Sequence, residues 1–318
     1  MQVVRGIPTQ ADQPAVLTIG NFDGVHRGHQ ALLKLLTDKA RELGLPAVVL
    51  TFEPHPREYF APADAPARLA SMREKLLLLE ACGVARVHVC RFDRAFAAQS
   101  ANGFIDDFLV RGLAVRHLFI GDDFCFGARR QGDFAMLQEA GRRYGFGVES
   151  MPTLSIGDER VSSSAVREAL AEGDLDHAAR LLGRPYSIAG RVVHGDKLGR
   201  QLGFPTANIQ LKHRRPALTG VFAVRVEGLG ERAIDGVANI GIRPTATDIA
   251  RPRLEVHLFD WNEPCYDAHL RVHFLHKLRD ERKFASLDAL TTQIRCDAES
   301  ARAWLAQNTT PHSTGPKA

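Results

Sequence analysis

The 318 residues hold 41 Lys and Arg against 37 Asp and Glu, a formal charge of +4, with 45% hydrophobic and 25% charged residues. That length suits two domains that each bury a core, and so slight a basic excess argues against nucleic acid or a membrane surface as partner. Five cysteines (Cys82, Cys90, Cys125, Cys265, Cys296) without a C-x-x-C pair, no apolar leader, and no run near the ~18–20 apolar residues of a membrane span predict a cytoplasmic protein with reduced thiols.

The first predicted strand is Ala15-Val16-Leu17-Thr18-Ile19. Gly20-Asn21-Phe22-Asp23-Gly24-Val25-His26-Arg27-Gly28-His29 follows, and Ala31-Leu32-Leu33-Lys34-Leu35-Leu36 then opens a helical pattern. The decapeptide is therefore expected in the loop between a first strand and a first helix, where open parallel sheets bind nucleotides. Gly20, Gly24 and Gly28 let backbone approach a phosphate, and the helix start offers free N–H groups and a positive dipole. His26 and His29, three apart, can face one anion. Neither a Walker loop nor a Rossmann glycine pattern fits, because no Gly-Lys-Ser/Thr follows and histidines stand where those folds need small residues. Paired histidines there suit nucleotidyl transfer, in which charge on phosphate oxygens must be stabilised. An inert surface turn and half of a metal site remain open as readings of the same residues.

Strands and helices then alternate. Strands are expected at Pro46–Phe52, Arg86–Cys90, Val115–Ile120 and Phe146–Met151. Helices are expected over Ser71–Ala81, with Ser71 and Glu74 as a capping box, around Phe104–Val110, near Phe134–Tyr144 and from Ser164. The order implies a parallel sheet with right-handed crossovers and binding groups at the strands' C-terminal ends. Three further clusters fall at such ends: Phe52-Glu53-Pro54-His55-Pro56, Gly121-Asp122-Asp123-Phe124-Cys125-Phe126-Gly127, and Val161-Ser162-Ser163-Ser164-Ala165-Val166-Arg167. The last joins hydroxyls at a helix start to an arginine one turn in, a second phosphate site, although serines before a helix are also ordinary caps.

After a short helix, Asp174–Leu182, the period changes to two, placing a boundary near Gly183-Arg184-Pro185-Tyr186. Strands at Ser187–Val193, Val221–Val226, Leu254–Leu258 and Leu270–Phe274, separated by Gly- and Pro-rich turns, predict a small closed antiparallel barrel. A helix over Ser286–Ala306 packs across it in this reading, and the polar tail from Gln307 is expected to be mobile. The expected division is thus 1–183, 184–306 and a tail of 307–318. Within the barrel, the segment from His194 to Asn208 has spaced glycines and basic residues and ends in Thr206 and Asn208. Two hard oxygen donors on one face of an extended segment suit Mg²⁺ shared with phosphate oxygens. Glu255 lies between Leu254 and Val256, either facing water or acting as the base for an attacking hydroxyl.

The Gly20–His29 segment resembles the signature of the bacterial bifunctional riboflavin kinase/FMN adenylyltransferases, also called FAD synthetases. The blocks at Phe52–Pro56, Gly121–Gly127 and Val161–Arg167 are similar to that family's ordered F-x-P-H-P, G-x-D/N-F-x-F-G and I-S-S-T-x-I-R segments, with Ser164 where threonine is usual. Pro205-Thr206-Ala207-Asn208, Asn239–Thr245 and Leu254-Glu255-Val256-His257 resemble its riboflavin kinase module, and Lys277–Phe284 its flavin-side flap. The resemblance runs to about Trp304. It implies an α/β nucleotidyltransferase-type, Rossmann-like domain followed by a small β-barrel with a terminal helix. It implies that Gly20, Asn21, Phe22, Asp23, His26, His29, Asp123, Ser162, Ser163 and Arg167 bind ATP for adenylyl transfer, with His26 and His29 catalytic. His55 and Pro56 would shape a flavin-side loop. Gly195, Lys197, Gly203, Thr206 and Asn208 would bind the second ATP, Thr206 and Asn208 would hold Mg²⁺, and Glu255 would be the kinase base. Asn239 and Arg279 would face flavin. Riboflavin, FMN and ATP are then the partners of a monomer or weak homo-oligomer. A different adenylyltransferase, an RNA binder and a non-catalytic flavin carrier are the rival readings.

Overall fold

Strand-forming runs that are apolar on both faces can be buried only between two helical layers, and the first part of the chain takes that arrangement. The computed structural model describes every residue except 196–198, 200–201, 212–214, 244–250 and 309–318. The chain divides into two units, one of Met1–Pro66 with Met72–Val161, the other of Ala67–Ser71 with the chain from Ser162 onward.

In the first unit six strands form one sheet: β1 (Gln2–Arg5), β2 (Ala15–Ile19), β3 (Ala47–Glu53), β4 (Arg86–Arg91), β5 (Val115–Gly121) and β6 (Gly147–Met151). Their order is β1-β4-β3-β2-β5-β6, and every pairing is parallel. Sequence periodicity expects the last five of these strands; β1 is a four-residue, mostly exposed edge strand, too short to show a period. Every residue of β2 is buried, and alternate residues serve opposite layers. Leu17 packs with Leu50, Leu109, Leu118 and Leu137, whereas Val16 packs with Leu33, Leu36, Val49 and Phe119. The sheet grows from β2 toward β3 on one side and β5 on the other, so the loop after β2 stands at the switch point.

Helices α1 (Arg27–Leu43), α2 (Pro56–Phe60), α3 (Met72–Ala81), α4 (Arg94–Ala97), α5 (Ala101–Gly103) and α6 (Phe134–Tyr144) lie between the strands. The helical pattern expected around Phe104–Val110 is present but wound as a π-helix, Phe104–Gly112. Helix α1 begins four residues before the apolar pattern does, because His26 caps it. A two-stranded ribbon, β7 (Ser155–Ile156) with β8 (Glu159–Arg160), closes the unit.

The second unit opens with α7 (Ser163–Glu172) and α8 (Leu175–Leu182). Strands β9 (Ser187–Val193), β10 (Ala207–Ile209), β11 (Gly220–Glu227), β12 (Ile234–Arg243), β13 (Arg251–Leu258) and β14 (His269–Arg279) follow, closed in the order β10-β13-β12-β11-β14-β9. Pairing is antiparallel throughout. Phe222 and Phe274 meet edge to face on the inner side at 5.4 Å. On the outer side Val221, Ala223 and Val237 are covered by Ala298, Ala301 and Leu305 of α9 (Leu287–Gln307). Alternation along each strand thus supplies a dry interior and a second apolar face for one helix.

Phe222 is 0% exposed. Phe222→Ala is expected to cost about 3–5 kcal/mol, the range for an emptied aromatic core site, read as a lowered midpoint in urea. A loss below about 1 kcal/mol would contradict its place in the barrel interior.

Candidate active sites

The loop after β2 reverses within four residues. Phe22 (φ +48°), Gly24 (φ +79°) and Val25 (φ +41°) are all left-handed, a conformation that costs a non-glycine residue ~1–3 kcal/mol. Burial over-determines it. Phe22 is 1% exposed and packs with Val25 and Leu33, and the Gln30 amide donates to the Val25 carbonyl at 2.9 Å. Buried Thr51 on β3 donates to the Asn21 carbonyl at 3.4 Å. The reversal delivers His26 to the N-cap of α1, where its Nδ1 accepts the His29 N–H at 3.3 Å.

The two imidazoles stack with centroids 3.7 Å apart and planes 19° from parallel, and the Phe22 ring lies 5.0 Å from that of His29. Gly28 makes this possible, since a Cβ there would stand 3.2 Å from the His26 ring. Two of the buried side-chain atoms that lack a hydrogen-bond partner among the described residues belong to this stretch: His29 Nδ1 and Asn21 Oδ1. Burial, the neighbouring His26 and the charge of Lys75 together hold the His29 pKa well below the usual imidazole range. The ring is therefore neutral at pH 7, a donor on one nitrogen and an acceptor on the other. Lys75, on α3 one turn before Leu79, is only 3% exposed. Sequence reading passes over it, because nothing local distinguishes it from the surface lysines of α1.

The other expected residues of this unit are more dispersed. His55 caps α2, with its Nδ1 accepting the Arg57 N–H and Glu58 accepting the His55 N–H, both at 3.1 Å. Beside it rises a ledge of rings. Phe92 meets Phe52, Tyr59, Phe60 and Phe96 at 5.4–5.8 Å, and Phe60 is 67% exposed. That ledge is assembled from several elements, so no single stretch of sequence reveals it. Asp123 is exposed and accepts from Arg160 at 3.5 Å. Ser162, Ser163 and Arg167 belong to the second unit: Ser162 caps α7 by accepting the Ala165 N–H at 3.1 Å, and Arg167 donates to the Ala67 carbonyl at 2.6 Å.

On the barrel, register gathers residues that lie far apart in sequence. Glu255 on β13 stands directly across from Asn208 on β10 and from Asn239 on β12. The row continues through Val221 to Arg279. Directly opposed residues share a face, so four expected site residues from four strands lie on the outer face. Thr206 joins them, two residues before Asn208. The chain ahead of it is fixed by His257, whose Nδ1 donates to the Pro205 carbonyl at 2.8 Å. Gly195 lies against the Asn208 amide, and Gly199 has no Cβ to crowd Thr206 Oγ1, which would be 3.3 Å away. Gly203 forms an exposed turn at φ +83°, while Lys197 lies outside the described residues. Arg279 gives its donors to Asp297 and to the Asp280 carbonyl.

A family model for FAD synthetase matches residues 8–165, and one for riboflavin kinase matches 182–305. The bifunctional riboflavin kinase/FMN adenylyltransferase of Escherichia coli (strain K12) is 53% identical over 305 residues, covering 95% of this chain and 97% of that one. Its counterpart from Haemophilus influenzae is 51% identical over 306 residues, covering 96% and 99%. A crystal structure from Streptococcus pneumoniae, described as a macrolide-efflux protein, superposes with a TM-score of 0.81 at 29% identity, covering 96% of this chain and all of that one. No helix among the described residues is long and apolar enough to cross a membrane. With both halves matched in order and relatives similar along nearly the whole length, the chain belongs to the bifunctional riboflavin kinase/FMN adenylyltransferase family.

Proposed function

We propose that the chain makes FAD from riboflavin in two ATP-dependent steps, with residues 184–306 as the kinase, 1–183 as the adenylyltransferase and 307–318 as a tail. The observation that carries this reading is the transverse row in which Glu255 faces Asn208 on one side and Asn239 on the other. A carboxylate, a metal-type oxygen donor and a flavin-side amide then share one surface without any backbone movement.

In the kinase step Glu255 takes the proton of the ribityl 5′-hydroxyl as its oxygen bonds to the γ-phosphorus of ATP. The bond from that phosphorus to its bridging oxygen breaks, and ADP leaves with FMN formed. Phosphoryl transfer depends on placement and charge more than on a reactive nucleophile, so a rigid strand surface suits it. Thr206 and Asn208 fit Mg²⁺ by donor chemistry, two hard oxygens two residues apart, with Gly195 and Gly199 lacking the Cβ that would crowd them. The ion, when bound with ATP, would withdraw charge from the phosphates. Gly195, Lys197 and Gly203 bind the phosphates of that ATP. Asn239 lies on the flavin side, and so does Arg279, through the turn that it holds.

In the second step a phosphate oxygen of FMN attacks the α-phosphorus of another ATP, and pyrophosphate leaves. His26 and His29 donate to phosphate oxygens as charge develops, with Asn21 close by in the same loop. Gly20, Phe22 and Asp23 shape that turn, and Asp123 binds the nucleotide. Ser162 and Ser163 with Arg167 supply hydroxyls and a guanidinium for the triphosphate at the start of α7. The cluster of edge-to-face rings at Phe52, Phe92 and Phe60, next to the loop at His55 and Pro56, offers an apolar aromatic wall for a flavin ring. Balanced charge supports small-molecule substrates rather than nucleic acid or membrane. A cytoplasmic monomer or weak homo-oligomer completes the proposal.

Incubating the protein with ATP, Mg²⁺ and riboflavin and separating the products should yield FMN and then FAD; absence of both would end this reading. His29→Ala should lower FAD formation ~10²–10³-fold, the effect of losing one preorganised donor, while FMN formation holds. Equal losses in both steps would refute the assignment of the histidines. Glu255→Gln should slow FMN formation ~10²–10⁴-fold, as expected for a lost general base, and unchanged turnover would remove Glu255 from the mechanism. Lys75→Met removes a like charge from beside His29. Its pKa should rise toward the ordinary 6.5, and the acid limb of FAD formation should move to higher pH with it. A ring-proton titration that shows no rise would exclude Lys75 from the site.

A further inference from the structure

Between β14 and α9 the chain turns through residues 280–284, and three separate contacts fix that turn. Arg279 ends β14 at the far end of the row that begins at Asn208. Its Nε donates to both Asp297 oxygens at 2.9 and 3.1 Å, its Nη2 donates to Asp297 at 2.6 Å, and its Nη1 donates to the Asp280 carbonyl at 2.9 Å. Asp297, on α9, is 6% exposed. The same carboxylate accepts the Gln293 amide at 2.7 Å, and the Gln293 oxygen in turn accepts from Arg282. Arg282 also lies 5.0 Å from the Phe284 ring. Between these points Glu281 drops its carboxylate onto Gly241 of β12, into space that a Cβ there would occupy. Gly241 is two residues from Asn239 and therefore on the same strand face.

A buried Arg–Asp pair joining a strand to a helix is ordinarily a packing tie. Here the carboxylate reaches both sides of one turn, Arg279 directly and Arg282 through Gln293. A tie between β14 and α9 alone would need neither Gln293 nor the vacancy at Gly241. We propose that Asp297 is a positioning residue for the flavin acceptor. It sets the turn 280–284 over the outer face of β12, beside Asn239 and one strand from Glu255, where the riboflavin hydroxyl must be presented. With its donors spent on Asp297 and Asp280, Arg279 acts on the substrate through this turn. The inference rests on the reading of the barrel as a riboflavin kinase.

Steady-state kinetics on the full chain test it. Asp297→Asn keeps the size and one acceptor oxygen but loses the charge. It should raise the KM for riboflavin about tenfold or more, as for a weakened bond to a charged group, with the KM for ATP and the rate of FMN adenylylation unchanged. Gly241→Ala adds a methyl group at the seat of Glu281 and removes no charge; it should give the same split with an unchanged melting temperature. Should Asp297→Asn fail to fold, Gly241→Ala decides alone. A wild-type KM for riboflavin in the folded variants, or equal rises for riboflavin and ATP, would overturn the proposal. Failure of the unaltered protein to phosphorylate riboflavin would instead sink the kinase reading on which it stands.

Discussion

The register of three antiparallel strands, β10, β13 and β12, is the constraint on which the barrel's chemistry depends. Side chains alternate with a period of two, so slipping β13 by one residue would turn Glu255 inward and push Leu254 or Val256 outward. The fully buried Leu254 and Val256 resist that slip by the hydrophobic cost of exposing them, ~1.5–3 kcal/mol for each. The core therefore protects the polar row without touching it. Because Asn208, Glu255 and Asn239 come from strands hydrogen-bonded to one another, their spacing is set by backbone and not by loops. That rigidity suits a step in which a proton and a phosphoryl group change hands within a few tenths of an ångström.

The first unit solves a related problem by the opposite means. Its paired histidines sit at a loop and the helix start behind it, and the loop is held by strain balanced against burial. Left-handed Phe22 and Val25 are costly conformations, and both side chains lie in the core beneath α1. The outcome is a helix N-terminus with two stacked imidazoles, and two unpartnered polar atoms, His29 Nδ1 and Asn21 Oδ1, in the same stretch. An unpaired buried group costs ~1–3 kcal/mol, so leaving His29 Nδ1 and Asn21 Oδ1 unsatisfied lowers stability and leaves both atoms open to a ligand. Lys75 belongs to the same economy. Its charge adds to burial and to the neighbouring His26 in holding the His29 pKa down, which leaves that ring able to act as both donor and acceptor.

Legibility in the sequence followed the range of the forces involved. Strands β2 to β6, α6, β9 and α9 each declare themselves through a periodicity carried by their own residues, and their positions agree with the sequence to within a residue or two. The Gly20–His29 loop was legible for the same reason, since strand, glycines, histidines and helix adjoin. Features that arise between elements were not. Edge strand β1 is too short to show a pattern, and the π-helical winding of Phe104–Gly112 leaves no signal that separates it from an α-helix. Lys75 is buried by tertiary packing that its own helix does not signal. Asp297 reads as one more polar residue on an amphipathic helix until Arg279, 18 residues away, is seen to reach it.

Glycines mark the places where these two levels meet. Gly195 and Gly241 each face a side chain that occupies the volume of the missing Cβ, the Asn208 amide and the Glu281 carboxylate, and a Cβ at Gly28 would stand in tight contact with the His26 ring at 3.2 Å. None of the three has a positive φ, so backbone freedom is not what they contribute. Each is instead a seat for a polar group whose direction would otherwise be unset. Helix propensity alone would favour alanine over glycine at position 28 by about 1 kcal/mol. A glycine inside the first turn of α1 thus records a preference for the stacked histidines over the stability of the helix that carries them.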